Sequence, residues 1–292
     1  MKRQQPSLPV AIALFGVLGV ILLTRSQAAT TPPISLEVEN GQRAGPITQV
    51  SGDDASNNIF VTTGPSAAPM PAALLDLRNW KLTLPADSDG NAKADEITQP
   101  ALATYASDAY FHINNTNDGV IFTAPVGGAT TSGSSYPRSE LREMTNNGAD
   151  QASWDSTTGS HSMTIRQAIT HLPATKQHVV AGQIHDANDD VIMVRLENKR
   201  LFIESNGDEI GLLTDNYVLG TEMTITITAT AAGIAVNYQS SGRSAALQFG
   251  NLKGSGWYFK AGCYTQSNPT TGDDPTDYGQ VIIYDLSVAH TP

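Results

Sequence analysis

The chain has 292 residues, of which 40% are hydrophobic and 15% charged, with 17 basic side chains, 28 acidic side chains and one cysteine. The net charge of −11 argues against general binding to nucleic acid or to an anionic membrane surface. A single cysteine excludes an intrachain disulfide, so stability must come from a hydrophobic core, for which the chain is long enough.

The first 28 residues have the pattern of a secretory signal peptide. Lys2 and Arg3 precede an unbroken apolar run from residue 10 to residue 23, and small residues follow up to Ala29. This run is shorter than the about 20 residues that a membrane-spanning helix needs, so we expect cleavage and a secreted or periplasmic product. Arg25 lies close to the cleavage region, which leaves an uncleaved membrane anchor as the alternative.

Cleavage would change the charge of the chain. It takes away three of the 17 basic residues and none of the 28 acidic ones, which leaves a net charge of −14. No nucleic-acid partner and, after cleavage, no stable membrane partner is therefore expected.

Residues 29–70 are rich in Thr, Pro, Ser, Gly and Ala and contain few aromatic residues. This composition predicts a linker or a weakly ordered segment, interrupted at most by a short strand near residues 59–62. The folded domain is expected to span residues 71–292.

Beyond residue 71 the chain has the pattern of short strands separated by turns rich in Gly, Asn, Asp and Ser. The first strand is expected between Asp76 and Pro85. Further strands are predicted at residues 110–113, 120–124, 139–143, 161–170, 178–185, 191–197, 200–205, 221–229, 233–239, 257–265 and 280–289. Residues 100–109 are the one candidate for a short helix. The many strands at regular spacing predict an all-β domain, an antiparallel sandwich or jelly roll.

The predicted strand at 257–265 has two different faces when it is read with a period of two. Phe259, Ala261 and Cys263 suit a core, so we expect Cys263 to be a buried, inert thiol. The other face carries Tyr258, Lys260, Tyr264 and, just past the strand, Gln266. Solubility alone explains such a face poorly, and we expect it to form the floor of a binding cleft.

Two further strands present polar groups in the same way. Arg138, Glu140 and Arg142 are spaced two residues apart, so one face of a strand carries all three. Gln183 and His185 share a face as well. A solvent-exposed ion-pair ladder is an equally good explanation for the strand that carries Arg138, Glu140 and Arg142. For His185 taken alone, an ordinary core or surface histidine is the better explanation.

Several common catalytic arrangements are missing from the sequence. It has no HExxH or CxxC spacing for zinc, no Gly-x-Ser-x-Gly segment, and no strand with the paired carboxylates of a sandwich glycosidase. The turn at residues 87–91 loosely resembles a calcium-binding loop, but it lacks the full series of ligands and a closing Glu, which favours a surface turn.

β-Elimination on a uronic-acid polymer requires the residue types that are present. The step removes the C5 proton, α to the carboxylate, and expels the glycosidic oxygen at C4. An arginine with an amide can neutralise the carboxylate, a neutral histidine can take the proton, and a tyrosine can protonate the leaving oxygen. The three polar faces supply all of these groups.

The same segments resemble a known family. Arg-Ser-Glu-Leu-Arg at 138–142, Gln-Ile-His at 183–185 and Tyr-Phe-Lys-Ala-Gly-Cys-Tyr-Thr-Gln at 258–266 closely resemble, in order, the three motifs of the alginate lyases of polysaccharide lyase family 7. The resemblance runs from about Pro71 to the C-terminus. It implies a β-jelly-roll sandwich of two curved antiparallel sheets, with alginate in the concave cleft.

The resemblance also implies catalytic roles by motif position. Arg138 and Gln183 would neutralise the substrate carboxylate, His185 would be the base and Tyr264 the acid. An Ile between Gln183 and His185 is associated in the family with guluronate-containing substrates. We expect endolytic cleavage of 1,4-glycosidic bonds with a preference for guluronate-containing blocks, which leaves an unsaturated uronate at the new non-reducing end. Cys263 departs from the family's usual Val or Ile, but it faces the core, so activity should survive.

The remaining site residues are expected to bind substrate. Arg142 and Lys260 would bind neighbouring uronates, Glu140 would orient the arginines, and Tyr258 and Gln266 would contact the polymer. The loop at residues 268–277 is expected at the cleft rim, where Asp273 and Asp274 could repel a polyanion.

Two alternative functions remain open. One is a non-catalytic jelly-roll module that binds polyuronides, and the other is a lyase for another polyuronide such as glucuronan. No cofactor and no metal are expected, because Arg138 and Gln183 would take over the charge-neutralising role of a metal ion. The protein is expected to be a monomer whose partner is alginate.

Overall fold

The computed structural model describes residues 47–51, 59–63 and 69–292. The predicted signal peptide and most of the predicted linker lie outside these residues. Among the residues described, no helix is both long and apolar enough to cross a membrane. The chain divides into two compact units between Ser66 and Ala67. In the first unit, β1 (Ile47–Ser51) pairs antiparallel with β2 (Ile59–Thr63), which matches the strand expected near residues 59–62.

The second unit is a sandwich of two antiparallel sheets, so the jelly-roll prediction is confirmed. In spatial order, the first sheet contains β13 (Asp208–Thr214), β12 (Arg200–Ser205), β11 (Asp190–Glu197), β10 (His178–His185), β17 (Tyr258–Thr265), β7 (Arg138–Thr145), β3 (Trp80–Thr83) and β4 (Glu96–Ile97), with β8 (Asp150–Gln151) against the end of β7. The second contains β16 (Arg243–Phe249), β15 (Gly233–Ser240), β14 (Met223–Thr230), β9 (Ser160–His171), β18 (Tyr278–Thr291), β6 (Val120–Pro125) and β5 (Phe111–Ile113). Short 3₁₀ turns lie at Pro71–Ala73, Ala101–Thr104 and Pro269–Thr271.

The core forms between the two sheets because their strands alternate in polarity. In β14, buried apolar residues such as Ile225 and Ile227 alternate with half-buried threonines. In β10 the residues between its two ends are buried on both faces. One face of β10 packs in the core, and the other carries part of the predicted site, so this strand does not alternate between buried and exposed.

Five of the described strands were not predicted (β1, β4, β8, β13 and β16), and the one predicted helix is reduced to a turn. β13 has no alternation, since Asp208 to Ile210 are all exposed. β16 alternates only between exposed and half-buried positions, which gives a weak sequence pattern. The segment at 100–109 contains a single 3₁₀ turn rather than a helix.

Two acidic loops have structural roles. Asp87 accepts the backbone N–H groups of Asn91 and Ala92, as expected for a surface turn. Asp273 is buried, where it accepts hydrogen bonds from the backbone N–H of Lys176 and from the Ser267 hydroxyl. Burial raises the pKa of Asp273, but these hydrogen bonds outweigh it and lower that pKa to about 2. The Asp273 carboxylate therefore ties two loops together, a structural role that the sequence did not indicate.

A buried carboxylate also joins the two sheets. Glu143 of β7 accepts the Trp154 indole N–H at 3.0 Å and the backbone N–H of Phe259 at 2.9 Å. Its other oxygen lies 2.6 Å from Nε2 of His290 on β18, and Nδ1 of His290 lies 2.8 Å from Nδ1 of His161. Histidines that are distant in sequence thus meet in one polar cluster at the end of the core.

Candidate active site

Three neighbouring strands, β7, β17 and β10, bring the predicted site residues together. Across β17 and β7, Tyr264 pairs with Arg138, and Lys260 pairs with Arg142. Across β17 and β10, Lys260 pairs with Gln183, and Tyr258 pairs with His185. Directly paired residues of an antiparallel sheet point to the same face, so all three motifs contribute to one surface.

Gly262 is a point of very close approach between β17 and β7. Its φ is +141°, and a Cβ atom there would lie 2.6 Å from the Ser139 carbonyl oxygen and 2.8 Å from Glu140 Cα. Because these obstacles are backbone atoms, a side chain at this position would push β7 and its Glu140 away. Gly262 therefore fixes the spacing of the site.

Replacing Gly262 by alanine should test this spacing. We expect the free energy of unfolding to fall by about 3 kcal/mol, because overpacking adds to an unfavourable φ. Gly207→Ala is the matched control, since Gly207 also has a positive φ, +85°, but nothing within 4 Å. The control should lose only about 1 kcal/mol in urea unfolding. Equal losses for the two variants would contradict the close approach.

Glu140 is the centre of a buried charge cluster. It is 1% exposed and accepts hydrogen bonds from Nη1 of Arg138 at 3.1 Å, from Nζ of Lys260 at 2.7 Å, and from Nε2 of Gln183. Two cations share one anion, so the cluster keeps one positive charge in excess. The exposed ion-pair ladder considered for this strand is therefore wrong, because Arg138 is itself only 7% exposed.

The cluster changes the titration of its members. Burial raises the pKa of Glu140, but the charges of Lys260 and Arg138 outweigh it and hold that pKa below its usual range. For Lys260, burial is the largest effect; Glu140 opposes it, Arg138 reinforces it, and the pKa falls to about 8. Lys260 is therefore cationic at neutral pH and loses its charge in mildly alkaline solution.

Arg142 lies outside this cluster. Its guanidinium carbon is 4.0 Å from the centre of the Tyr258 ring, and its nitrogens donate to the Glu143 carbonyl oxygen and to Oε1 of Gln151. The expectation that Glu140 orients both arginines is wrong for Arg142. Tyr258, which was expected to contact the polymer, is the side chain that supports Arg142.

Nε2 of His185 has no hydrogen-bond partner among the described residues, whereas Nδ1 has two close neighbours. Its Nδ1 lies 2.6 Å from the Asp186 carbonyl oxygen and 3.1 Å from the Tyr258 hydroxyl. A carbonyl oxygen can only accept, so we assign the proton to Nδ1, which leaves the lone pair on Nε2. Burial, followed by the charge of Lys260, lowers the pKa of His185 below its usual value. The neutral imidazole is thus a base at neutral pH.

Tyr264 lies between a cation and a hydroxyl. The Arg138 guanidinium carbon is 3.7 Å from the ring centroid, and the phenol oxygen lies 2.8 Å from Oγ of Ser134. Sequence reasoning missed Ser134, because it lies in a loop without periodicity or a charged residue. Gln266 is buried beyond the end of β17, and its Nε2 has no hydrogen-bond partner among the described residues.

A jelly roll with Arg, Gln, His and Tyr on one sheet face has the groups that β-elimination on a uronic-acid polymer requires, which is the reaction of the polysaccharide lyases. The family model for alginate lyase matches residues 75–290. A solved alginate lyase of polysaccharide lyase family 7 is 51% identical, covers 77% of this chain and 100% of its own, and has a TM-score of 0.72. The chain belongs to this family, the alginate lyases of polysaccharide lyase family 7.

Other relatives agree with this assignment. The alginate lyase from Corynebacterium sp. is 42% identical with a TM-score of 0.70, and the match covers 77% of this chain and 100% of that one. A curated alginate lyase from Klebsiella pneumoniae is 28% identical over 303 residues, which covers 81% of this chain and 96% of that protein.

Proposed function

We propose that this alginate lyase is a secreted monomer that cleaves the polymer endolytically, prefers guluronate-containing blocks, and leaves an unsaturated uronate at the new non-reducing end. The observation that carries the chemistry is the cationic cluster around Glu140, which lies beside a neutral His185 and the Tyr264 phenol. A family 7 alginate lyase that is 27% identical to this chain, with a TM-score of 0.62, has been solved in complex with a product (GGG). That complex supports an oligosaccharide as the partner of this protein.

In the proposed mechanism, Arg138 and Gln183 hold the substrate carboxylate. Arg138 and Gln183 each donate one hydrogen bond to Glu140, and this bond fixes the orientation of the donor side chain. The other N–H groups of the guanidinium and of the amide are left for substrate. The excess positive charge of the cluster stabilises the enolate-like charge that develops when C5 loses its proton. Lys260 contributes to this charge, and Arg142 over Tyr258 binds a neighbouring uronate.

His185 and Tyr264 then move the two protons. Nε2 of His185 takes the C5 proton, and the electron pair of that C–H bond forms the C4–C5 double bond. The C4–O bond breaks, and the Tyr264 hydroxyl gives its proton to the leaving oxygen. Tyr258 lies against the His185 ring, with the two ring centroids 5.3 Å apart.

The pH dependence of kcat/KM should report the titration of both His185 and Lys260. His185 must be neutral to act as a base, and its pKa lies below 6.5, so the acidic limb should be centred below pH 6.5. Lys260 loses its proton near pH 8, so kcat/KM should fall as the pH rises through about 8. Lys260→Arg should move this decline to higher pH, because a guanidinium stays charged. An unchanged alkaline limb in the variant would show that Lys260 is not the group that titrates.

The proposed function is tested with four polymers: polyguluronate, polymannuronate, glucuronan and pectate. We expect the absorbance of an unsaturated uronate to appear fastest with polyguluronate, together with an early drop in viscosity that marks endolytic cleavage. Binding of alginate without any rise in absorbance would instead indicate a non-catalytic module. A faster rate on glucuronan would indicate a different polyuronide, and dimer products from the first time point would exclude the endolytic mode.

Secretion and assembly need separate measurements. The N-terminal sequence of the protein recovered from culture medium should begin after residue 28 or 29. An intact N-terminus on a membrane-bound product would support the anchor instead. Light scattering of the mature chain should give the mass of one copy, and a doubled mass would contradict the monomer.

A further inference from the structure

The loop between β6 and β7 places one hydroxyl against the Tyr264 phenol. Oγ of Ser134 lies 2.8 Å from the Tyr264 hydroxyl oxygen. The same Oγ accepts the Tyr136 backbone N–H at 3.0 Å and lies 3.1 Å from the Tyr136 carbonyl oxygen. Ser134 thus has three partners, of which only the phenol can act as either donor or acceptor.

The hydrogens of Ser134 can be counted. A hydroxyl has one hydrogen to donate and two lone pairs, and the Tyr136 N–H occupies one lone pair. In the resting protein, Ser134 donates its hydrogen to the Tyr136 carbonyl, and Tyr264 donates its own hydrogen to Ser134. If Tyr264 becomes a phenolate, rotation about the Cβ–Oγ bond lets Ser134 donate to the phenolate oxygen. The resting arrangement uses the hydrogen and both lone pairs of Ser134, and the second uses the hydrogen and one lone pair; the two differ in one torsion angle.

We propose that Ser134 is a positioning residue for the proton donor. It aims the Tyr264 hydroxyl before the reaction and stabilises the phenolate once the proton has gone to the leaving oxygen. This inference rests on the proposed function, in which Tyr264 is the acid. A hydrogen bond to an anionic oxygen is stronger than the neutral one that it replaces, so Ser134 favours the transition state over the resting state.

Contacts from two other loops hold Ser134 in place. Nζ of Lys176 donates to the Tyr136 hydroxyl at 2.7 Å and lies 4.4 Å from the centre of that ring. Nδ2 of Asn268 donates to the Ser135 carbonyl oxygen at 3.0 Å. The backbone N–H of Ser134 itself donates to the Thr131 carbonyl at 3.0 Å. The hydroxyl is therefore fixed before substrate arrives, as electrostatic stabilisation of a transition state requires.

The experiment compares Ser134→Ala, Ser134→Thr and Ser135→Ala on alginate. For Ser134→Ala we expect kcat to fall about 10- to 100-fold, with KM within about 2-fold, because the stronger hydrogen bond to the phenolate forms only as the Tyr264 proton leaves. Ser134→Thr keeps the hydroxyl and should stay within about 3-fold of the parent rate. Ser135→Ala keeps the backbone carbonyl that Asn268 binds and should behave as the parent.

A further variant separates positioning from loop order. Tyr136→Phe removes the Lys176 contact but keeps both backbone bonds to Ser134, so it should lower kcat by less than about 3-fold. The inference is overturned if Ser134→Ala has the parent kcat, if Ser134→Thr is as slow as Ser134→Ala, or if Tyr136→Phe is equally slow. An active Tyr264→Phe would instead overturn the acid assigned in the proposed function. A normal Ser134→Ala beside an inactive Tyr264→Phe would reject the role of Ser134 alone.

Discussion

Replacing His185 by alanine or Tyr264 by phenylalanine is expected to lower kcat on alginate by about 10²- to 10⁴-fold, the usual contribution of a general base or acid. The melting temperature should barely change. His185 is only half-buried, and the phenylalanine would keep the ring that packs under Arg138 and lose just the bond to Ser134. The rate is followed by the absorbance of the unsaturated product, and folding by circular dichroism.

Tyr284→Phe is the matched control for the tyrosine. Tyr284 lies on β18 of the other sheet, and its ring also faces an arginine, with Cζ of Arg166 at 5.2 Å. Loss of this hydroxyl should leave kcat unchanged. A large fall in melting temperature for either site variant would mean that the residue is part of the core. Full activity in either one would mean that the proton is moved by another group.

The sheet and most of the site follow from a period of two. A period of two places Lys260 and Tyr264 on one face of β17, and Arg138 and Glu140 on one face of β7. It does not predict that these two strands are neighbours, which the structure shows. The hydrophobic pattern also specifies the register of each strand pair. One face of the sheet is buried in the core, and a slip by one residue would send every side chain to the opposite face.

Burial and loop contacts were not predictable in the same way. The pattern Arg-x-Glu-x-Arg is the same in an exposed ladder and in a buried cluster, and only the β10 and β17 neighbours of Glu140 decide between them. Ser134 reaches Tyr264 from a loop, and the Glu143–His290 contact joins residues on different sheets. These contacts depend on tertiary packing, and they produce no periodic pattern in the sequence from which they could be predicted.

Glu140→Ala is expected to be the most destabilising of these substitutions. It leaves Arg138 and Lys260 buried without their shared anion, and removal of one partner from a buried ion pair costs about 3–5 kcal/mol. Activity should fall as well, because Gln183 loses the acceptor that orients it and Lys260, with Arg138 still beside it, gives up its proton more easily. Urea unfolding measures the first effect, and the rate on alginate measures the second.

The contact between Lys81 and Glu96 provides the control. Its N–O distance is 2.6 Å, against 2.7 Å for Lys260 and Glu140, but the Glu96 side chain is 45% exposed while that of Glu140 is 1% exposed. Because water already solvates the exposed carboxylate, Glu96→Ala should cost less than about 1 kcal/mol, and that cost should shrink further in high salt. The cost of Glu140→Ala should depend little on salt. Equal and equally salt-sensitive losses in the two variants would show that the Glu140 cluster is solvated and cannot supply a fixed positive charge to the substrate.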